Sequence, residues 1–268
     1  MASDPNKIWL GLVIGNSRLH WGLFSHDRWL GGWHTPHLDD GQTQILKAER
    51  FSAIAWQHLG FSIPLPQFED SGLTPELWVA SVVRPELDKL IDYPALYAIE
   101  TSRVPLRGMY PTLGVDRALA LLGAGLTYGW PVLVIDGGTA LSFTAGAEHG
   151  FIGGAILPGL GLQFKALHRH TDQLPDLQPN GLALPYRWAT NTAEAMASGI
   201  IYSQLAGIRD FIADWWQRFP LGQVIFTGGD GETLAATLAQ VAARVDDQIK
   251  VDPNLMFWGL RACRQRSL

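Results

Sequence analysis

The strongest constraint on this chain is a pattern it carries twice: an apolar strand-like run, a glycine turn, then a second apolar run. The first copy extends from Ile8 to Phe24 and turns at Gly15-Asn16-Ser17; the second joins Val132 to Ile135 with Leu141 to Thr144 through Asp136-Gly137-Gly138-Thr139. Apolar runs interrupted by Gly and Asn predict antiparallel hairpins. Two such hairpins predict two related halves. In the first half, further strands are expected at Trp29 to Trp33, Glu76 to Val82 and Leu96 to Ile99, with a helix over Gln42 to Trp56. Pro and Gly between Pro105 and Pro111 then break the pattern. The expected division is an N-terminal lobe, 1–112, and a C-terminal lobe, 113–268.

The second half reads as more helical, with helices expected over Val115 to Thr127, Gly159 to His170, Asn191 to Phe219 and Gly231 to Ala243. Short strands are expected at Gln223 to Phe226 and Ile249 to Val251. The segment Gly153 to Gly159 is expected to bend twice around a short apolar strand.

Composition narrows the function class. With 268 residues and 47% hydrophobic content the chain can bury one large core or two modest ones, and a net charge of −5 argues against a nucleic-acid binder. Cys263 is the only cysteine, which excludes a disulfide framework and a cysteine-based zinc site and fits a reducing cytoplasm. No run approaches the roughly 18 apolar residues of a membrane span, and the polar start, Met1 to Lys7, does not resemble a signal peptide. His168 and His170 flank Arg169, and that spacing does not place both rings on one helix face. Zinc and hydrolase chemistry are therefore set aside.

A glycine turn between strands can aim backbone N–H groups at an anion, and a carboxylate just before it can hold Mg²⁺ through water, or another cation. Asp136 has that position in the second hairpin. Each turn taken alone also reads as an ordinary β-turn. Thr227-Gly228-Gly229-Asp230-Gly231 follows a buried strand and precedes a helix, a third loop of the phosphate or nucleoside type. In Leu113-Gly114-Val115-Asp116-Arg117, Asp116 reads either as a helix cap or as a general base, and Arg117 as a substrate contact or an ion-pair partner. Thr192 reads as the cap of the long helix or as a hydroxyl offered to a ligand. Together these features predict a phosphotransferase.

The motifs, in their order, resemble those of the type III pantothenate kinase family. Gly15-Asn16-Ser17 is similar to its first phosphate motif, Gly114-Val115-Asp116-Arg117 to its Gly-x-Asp-Arg motif, and Asp136-x-Gly138-Thr139 to its second phosphate motif. Gly153-Gly154-Ala155-Ile156-x-Pro158-Gly159, Thr171-x-x-Leu174-Pro175, Asn191-Thr192-x-Glu194-Ala195-Met196-x-Ser198-Gly199 and Thr227-Gly228-Gly229 also follow the family order.

The resemblance implies an α/β, two-lobed acetate and sugar kinase/Hsp70/actin-like fold with mixed sheets and flanking helices. It implies ATP-dependent phosphorylation of pantothenate to 4′-phosphopantothenate, the first step toward coenzyme A, by a homodimer. ATP contacts are implied along Val13, Ile14, Gly15, Asn16, Ser17, Arg18, Leu19 and His20 and at Thr139. Pantothenate contacts are implied at Tyr110, Gly114, Val115, Asp116, Arg117 and Thr192, with Asp116 as base. Asp136 is implied as ligand of a monovalent cation, K⁺ or NH₄⁺, with Mg²⁺ accompanying the nucleotide.

One position departs from the family pattern. Two residues before the first glycine the family carries Asp, and this chain carries Val13, which cannot hold Mg²⁺ or its waters. Two rival readings follow: a ligand-binding or regulatory protein derived from such a kinase, and a kinase of the same fold acting on another small alcohol.

Overall fold

A computed structural model describes residues 8–61, 63, 74–178, 184–241 and 249–267. The polar start and the last two positions of the helix expected over 231–243 lie outside them. The chain forms two compact units, and neither is contiguous in sequence. The first takes the chain up to Pro105, Tyr110–Gly123 and the chain from Met256 on; the second takes Leu106–Met109 and Ala124–Leu255.

In the first unit the opening hairpin forms as expected. β1 (Ile8–Ile14) pairs antiparallel with β2 (Leu19–Ser25), and β2 pairs antiparallel with β3 (Arg28–Thr35). The helix expected over Gln42 to Trp56 is instead two helices, α1 (Asp40–Ala48) and α2 (Ala53–His58). The break lies at Arg50 and Phe51, both with positive φ (53° and 55°). There the Arg50 and Phe51 N–H groups donate to Lys47 O and Leu46 O, closing the helix end as a left-handed residue typically does. Phe51 is thereby turned inward against Trp21 and Trp56, and Ser52 caps α2 through Ala55 N–H. Burial of a large aromatic ring has overridden helical continuity.

β4 (Glu76–Ser81) and β5 (Leu96–Ala98) complete this sheet, with the short α3 (Arg84–Asp88) between them. The strand order is β3-β2-β1-β4-β5, and β4 lies parallel to both β1 and β5. One face carries Leu10, Leu12, Ile14, Leu19, Trp21 and Leu23 into a core with Trp33, Leu46, Phe51 and Trp56. On the other face Gly11, Gly22 and Gly32 stand in register across three strands.

That glycine row makes room for aromatic rings. A Cβ on Gly22 would lie 2.6 Å from Trp29 and 2.9 Å from Phe257, and one on Gly11 would lie 3.0 Å from Leu260. Phe257 and Leu260 belong to α8 (Leu255–Ser267), a segment to which the sequence reading assigns no element. α8 is also tied to the sheet by charge: Arg264 Nε and Nη2 each lie 2.9 Å from Glu76 Oε2, which accepts a third bond from Trp78 Nε1 at 3.0 Å. Both side chains are about nine-tenths or more buried, at 6% and 10% exposure.

The second unit repeats this plan. α4 (Val115–Tyr128) precedes β6 (Val132–Gly137), β7 (Ala140–Ala147) and β8 (Gly150–Pro158), which form an antiparallel meander. α5 (Leu160–Arg169) and the long α6 (Thr192–Arg218) lead to β9 (Gln223–Thr227), and α7 (Gly231–Val241) leads to β10 (Ile249–Val251). β6, β9 and β10 are parallel, and the order β10-β9-β6-β7-β8 matches β5-β4-β1-β2-β3 strand for strand. The repeat visible in sequence only at the hairpins therefore extends through both sheets.

Of the twice-bent segment expected at Gly153 to Gly159, Gly153 to Pro158 is instead part of one strand, while Gly159 caps α5, where a helix was expected to open. Gly153 and Gly154 pair with Ala145 and Thr144, so the ladder to β7 holds them extended. The core beneath gathers Ile135, Phe143, Phe164, Ile208, Trp215 and Phe226. Among the described residues no helix is long and apolar enough to cross a membrane.

Replacing Arg264 by Met is expected to cost about 3–5 kcal/mol, because the Glu76 carboxylate stays buried with its cation removed. Urea unfolding followed by tryptophan fluorescence measures this. A loss below about 1 kcal/mol, the range of an exposed pair, would show that the pair does not hold α8 in place.

Candidate functional site

The two glycine turns can be compared rung by rung. In the first, Ile14 pairs with Leu19 and Val13 with His20, and Gly15 N–H donates to Arg18 O at 3.0 Å to close the loop. Asn16, Ser17 and Arg18 are exposed, and His37 Nε2 lies 2.8 Å from Gly15 O. In the second, Gly137 pairs with Leu141 and Asp136 with Ser142, and Gly138 N–H donates to Ala140 O at 3.0 Å. Aligning the last paired residues, Ile14 and Gly137, sets Val13 against Asp136 and His20 against Ser142. Val13 is 1% exposed, and its isopropyl group offers no donor to a cation.

Around the second turn the backbone approaches closely from two sides. A Cβ on Gly159 would collide with Gly138 O and Thr139 O, and Gly159 N–H donates to Thr139 O at 3.0 Å. Gly228, with φ +82°, lies so near the Asp136 carboxylate and Gly137 O that a Cβ there would overlap both. Asp230 N–H donates to Gly137 O at 2.9 Å. The loop Thr227 to Gly231 is thus built against the second hairpin, which its sequence did not specify.

Thr227 pairs in register with Asp136, so the two side chains leave the same face at the ends of parallel strands. The Thr227 hydroxyl is buried with no hydrogen-bond partner among the described residues. An orphaned hydroxyl beside a carboxylate is a pair of hard oxygen donors, which suits a K⁺, NH₄⁺ or Mg²⁺ ion or its water. The first turn, with Val13, does not fit a cation in that position.

The segment Leu113 to Arg117 belongs to the first unit. Gly114 O accepts the first helical bond of α4 from Ala118 N–H at 3.1 Å, so Asp116 lies inside the first turn and is not the cap. Its Oδ1 accepts Arg117 N–H at 2.7 Å. A Cβ on Gly114 would fall 2.5 Å from that oxygen, which explains the glycine. Burial pushes the Asp116 carboxyl above its ordinary value, and the Arg117 N–H bond and guanidinium oppose this only in part.

Arg117 Nη1 donates to Tyr110 Oη at 3.1 Å, which brings Tyr110 to the same group although seven residues separate them. The group adjoins the first hairpin. Gly114 lies beside Val82, whose N–H donates to Ile14 O at 3.1 Å. In the second unit Asn191, not Thr192, caps α6 by accepting Glu194 N–H at 3.0 Å. Thr192 is exposed at the first helical position.

The first unit therefore gathers Val13 to His20, Tyr110 and Gly114 to Arg117, and the second carries Asp136 and Thr139 at its turn and Thr192 on α6. Two groups escaped sequence reasoning. One is the Thr227 hydroxyl, and the other is the pairing that sets His20, itself among the implied ATP contacts, beside His34, with their rings edge to face at 4.7 Å. Burial, His34 and Arg18 push His20 down to about 4, and burial and Arg18 lower His34.

The family profile described as "Type III pantothenate kinase" matches residues 9–214. A type III pantothenate kinase of Synechococcus sp. (strain JA-3-3Ab) is 43% identical over 267 residues, covering 99% of this chain and 95% of that protein. One from Nostoc sp. (strain PCC 7120 / SAG 25.82 / UTEX 2576) is 42% identical over 264 residues, covering 94% and 93%.

Among solved structures, a conserved putative Baf family transcriptional activator from Campylobacter jejuni matches with a TM-score of 0.58 at 20% identity, covering 96% of this chain and 98% of that one. A putative 2-dehydro-3-deoxygalactonokinase from Sinorhizobium meliloti matches with a TM-score of 0.56 at 14% identity, covering 96% of each. At such identities these likenesses speak to fold alone, and the fold is the acetate and sugar kinase/Hsp70/actin-like one. Sequence likeness over nearly the whole length carries the finer assignment: the chain belongs to the type III pantothenate kinase family.

Proposed function

We propose that the chain transfers the γ-phosphoryl group of ATP to the terminal hydroxyl of pantothenate, in the cytoplasm, giving 4′-phosphopantothenate and ADP. The observation that carries this reading is the buried carboxylate of Asp116, fixed between Gly114 and Arg117 in a chain of this family. In the reaction the hydroxyl oxygen attacks the γ-phosphorus, the bond to the β-phosphate oxygen breaks, and the hydroxyl proton passes to Asp116. A carboxylate raised by burial is a better proton acceptor than an exposed one. Family membership favours pantothenate over other small alcohols.

Arg117 and Tyr110 form the polar wall of the acceptor group. A guanidinium held in place by a phenol suits an anionic acceptor such as pantothenate, whose carboxylate it can bind through two parallel bonds. The glycine turns offer backbone N–H groups to the phosphates, and Thr139 stands on the second turn. Phosphoryl transfer asks mainly for positioning and charge stabilisation, which such donors supply. Mg²⁺ accompanies the nucleotide, and a monovalent cation, when bound at Asp136 and Thr227, supplies positive charge beside the second turn.

The homodimer belongs to this reading as well. Its support is β8, an edge strand that exposes Ile152, Ile156 and Leu157. Apolar sheet edges are generally covered in a finished assembly. Ile156, 61% exposed, is the most open of the three.

Asp116→Asn is expected to lower kcat about 10²–10⁴-fold while ATP still binds, measured by coupled ADP release and by calorimetry. Near-normal turnover would remove Asp116 from the base role. Because the base form is lost as pH falls through a raised value, the acid limb of the wild-type pH profile should lie above the ordinary carboxylate value of about 3.9. A limb at or below it would contradict burial of the base. In an acceptor panel, pantothenate should stand well above sugars. Ile156→Lys should convert a dimer into monomers in sedimentation velocity; a monomeric wild type would reject the dimer.

A further inference from the structure

The two turns share one register and differ in chemistry on the rung that matters most. Across the second, that rung reads Asp136 and Ser142; across the first it reads Val13, His20 and, on the next strand, His34. Side chains in register on adjacent strands leave the same face. His20 and His34 therefore stand beside the place where a carboxylate would be, and that place is filled by an isopropyl group.

The ring of His20 reaches the turn itself. Its Nε2 lies 3.6 Å from where a Cβ on Gly15 would sit. Arg18, exposed, closes the same loop through its carbonyl and acts electrostatically on both histidines, and the titratable or charged groups acting on His20 are His34 and Arg18. His37, bonded to Gly15 O, faces Glu86 at 3.8 Å. Around the rung, then, two imidazoles meet edge to face, and the Arg18 charge acts on both.

Resting on the kinase reading, we propose that Arg18, His20 and His34 form an anion subsite on the first turn that binds nucleotide phosphate oxygens directly, in place of a carboxylate-held Mg²⁺. A guanidinium binds phosphate through paired N–H groups, and a neutral imidazole still donates one N–H. A divalent metal on the two imidazoles is opposed by the Arg18 charge and by the absence of a carboxylate on the rung. Phosphate binding at this turn consequently does not depend on a divalent cation.

The experiment is calorimetric titration of inorganic tripolyphosphate, and separately ATP, in EDTA and in Mg²⁺. It uses the wild type, the His20→Ala/His34→Ala double variant and Val13→Asp, with circular dichroism as a folding check. His34→Gln, at an exposed position, serves as a second variant that does not disturb the core. In EDTA the wild type should bind tripolyphosphate within about threefold of its affinity in Mg²⁺. The double variant should lose about tenfold or more in EDTA, the scale of one charge-assisted bond, and His34→Gln should lose part of this. Val13→Asp should weaken binding in EDTA and make it Mg²⁺-dependent.

A wild type that loses more than about tenfold in EDTA, or variants that bind tripolyphosphate like the wild type, would overturn the subsite. So would Mn²⁺ or Zn²⁺ binding in the absence of phosphate that disappears in the double variant. Phosphopantothenate formation alongside any of these results leaves the kinase standing without the subsite. Loss of tripolyphosphate binding in the variants, with no phosphopantothenate made by the wild type, leaves the subsite and rejects the kinase.

Discussion

In a sheet covered on both faces, strand register decides which side chain enters which layer, and a slip of one residue exchanges them all. β1 is held from both sides, antiparallel by β2 and parallel by β4, so its register is doubly specified. With Leu10, Leu12 and Ile14 committed to one core, Gly11 and Val13 must face the other way. The seat of α8 on the glycine row and the rung of histidines beside the turn both follow from this one choice. Neither survives a shifted hairpin.

The second sheet obeys the same strand order but spends its glycines differently. In the first unit they lie mid-strand, where they admit the rings of Phe257 and Trp29. In the second, Gly159 and Gly228 beside the turn let backbone press against Gly138, Thr139 and Asp136. One turn is thus built open with imidazoles beside it, and the other is built tight with a carboxylate and a hydroxyl beside it. A common scaffold thus carries two differently built turns.

Much of this was legible in the sequence. Both hairpins showed because a Gly-rich turn between apolar runs has few other readings, and the long helix showed because its periodicity runs through 27 residues behind Asn191. Other features were not legible, for physical reasons. The break at Phe51 depends on aromatic partners far along the chain, and the continuous β8 depends on a ladder that overrides two glycines. α8 escaped because Gly259 and a mixture of bulky apolar and basic residues obscure its stripe; the glycine is needed where a Cβ would strike the Leu119 carbonyl. His20 and His34 lie 14 positions apart, and only pairing makes them neighbours. Asp116 was recognised from its motif, while its position inside the first turn, and the bond from Arg117 to Tyr110, required coordinates.

The attachment of α8 also bears on the order in which the molecule can be completed. Arg264 and Glu76 are 188 positions apart, and all of the second unit's strands lie between them in sequence. Contacts that close so long a loop form late, because their chain entropy must be lost before the contact returns anything. During synthesis the first sheet emerges early yet waits, with one face uncovered at Gly11 and Gly22, until residues beyond 255 leave the ribosome. The second unit, begun later, has its own strands in hand before that happens. The half that starts first is therefore the half that finishes last, and in the interval its exposed aromatic face is the surface most in need of protection from other chains.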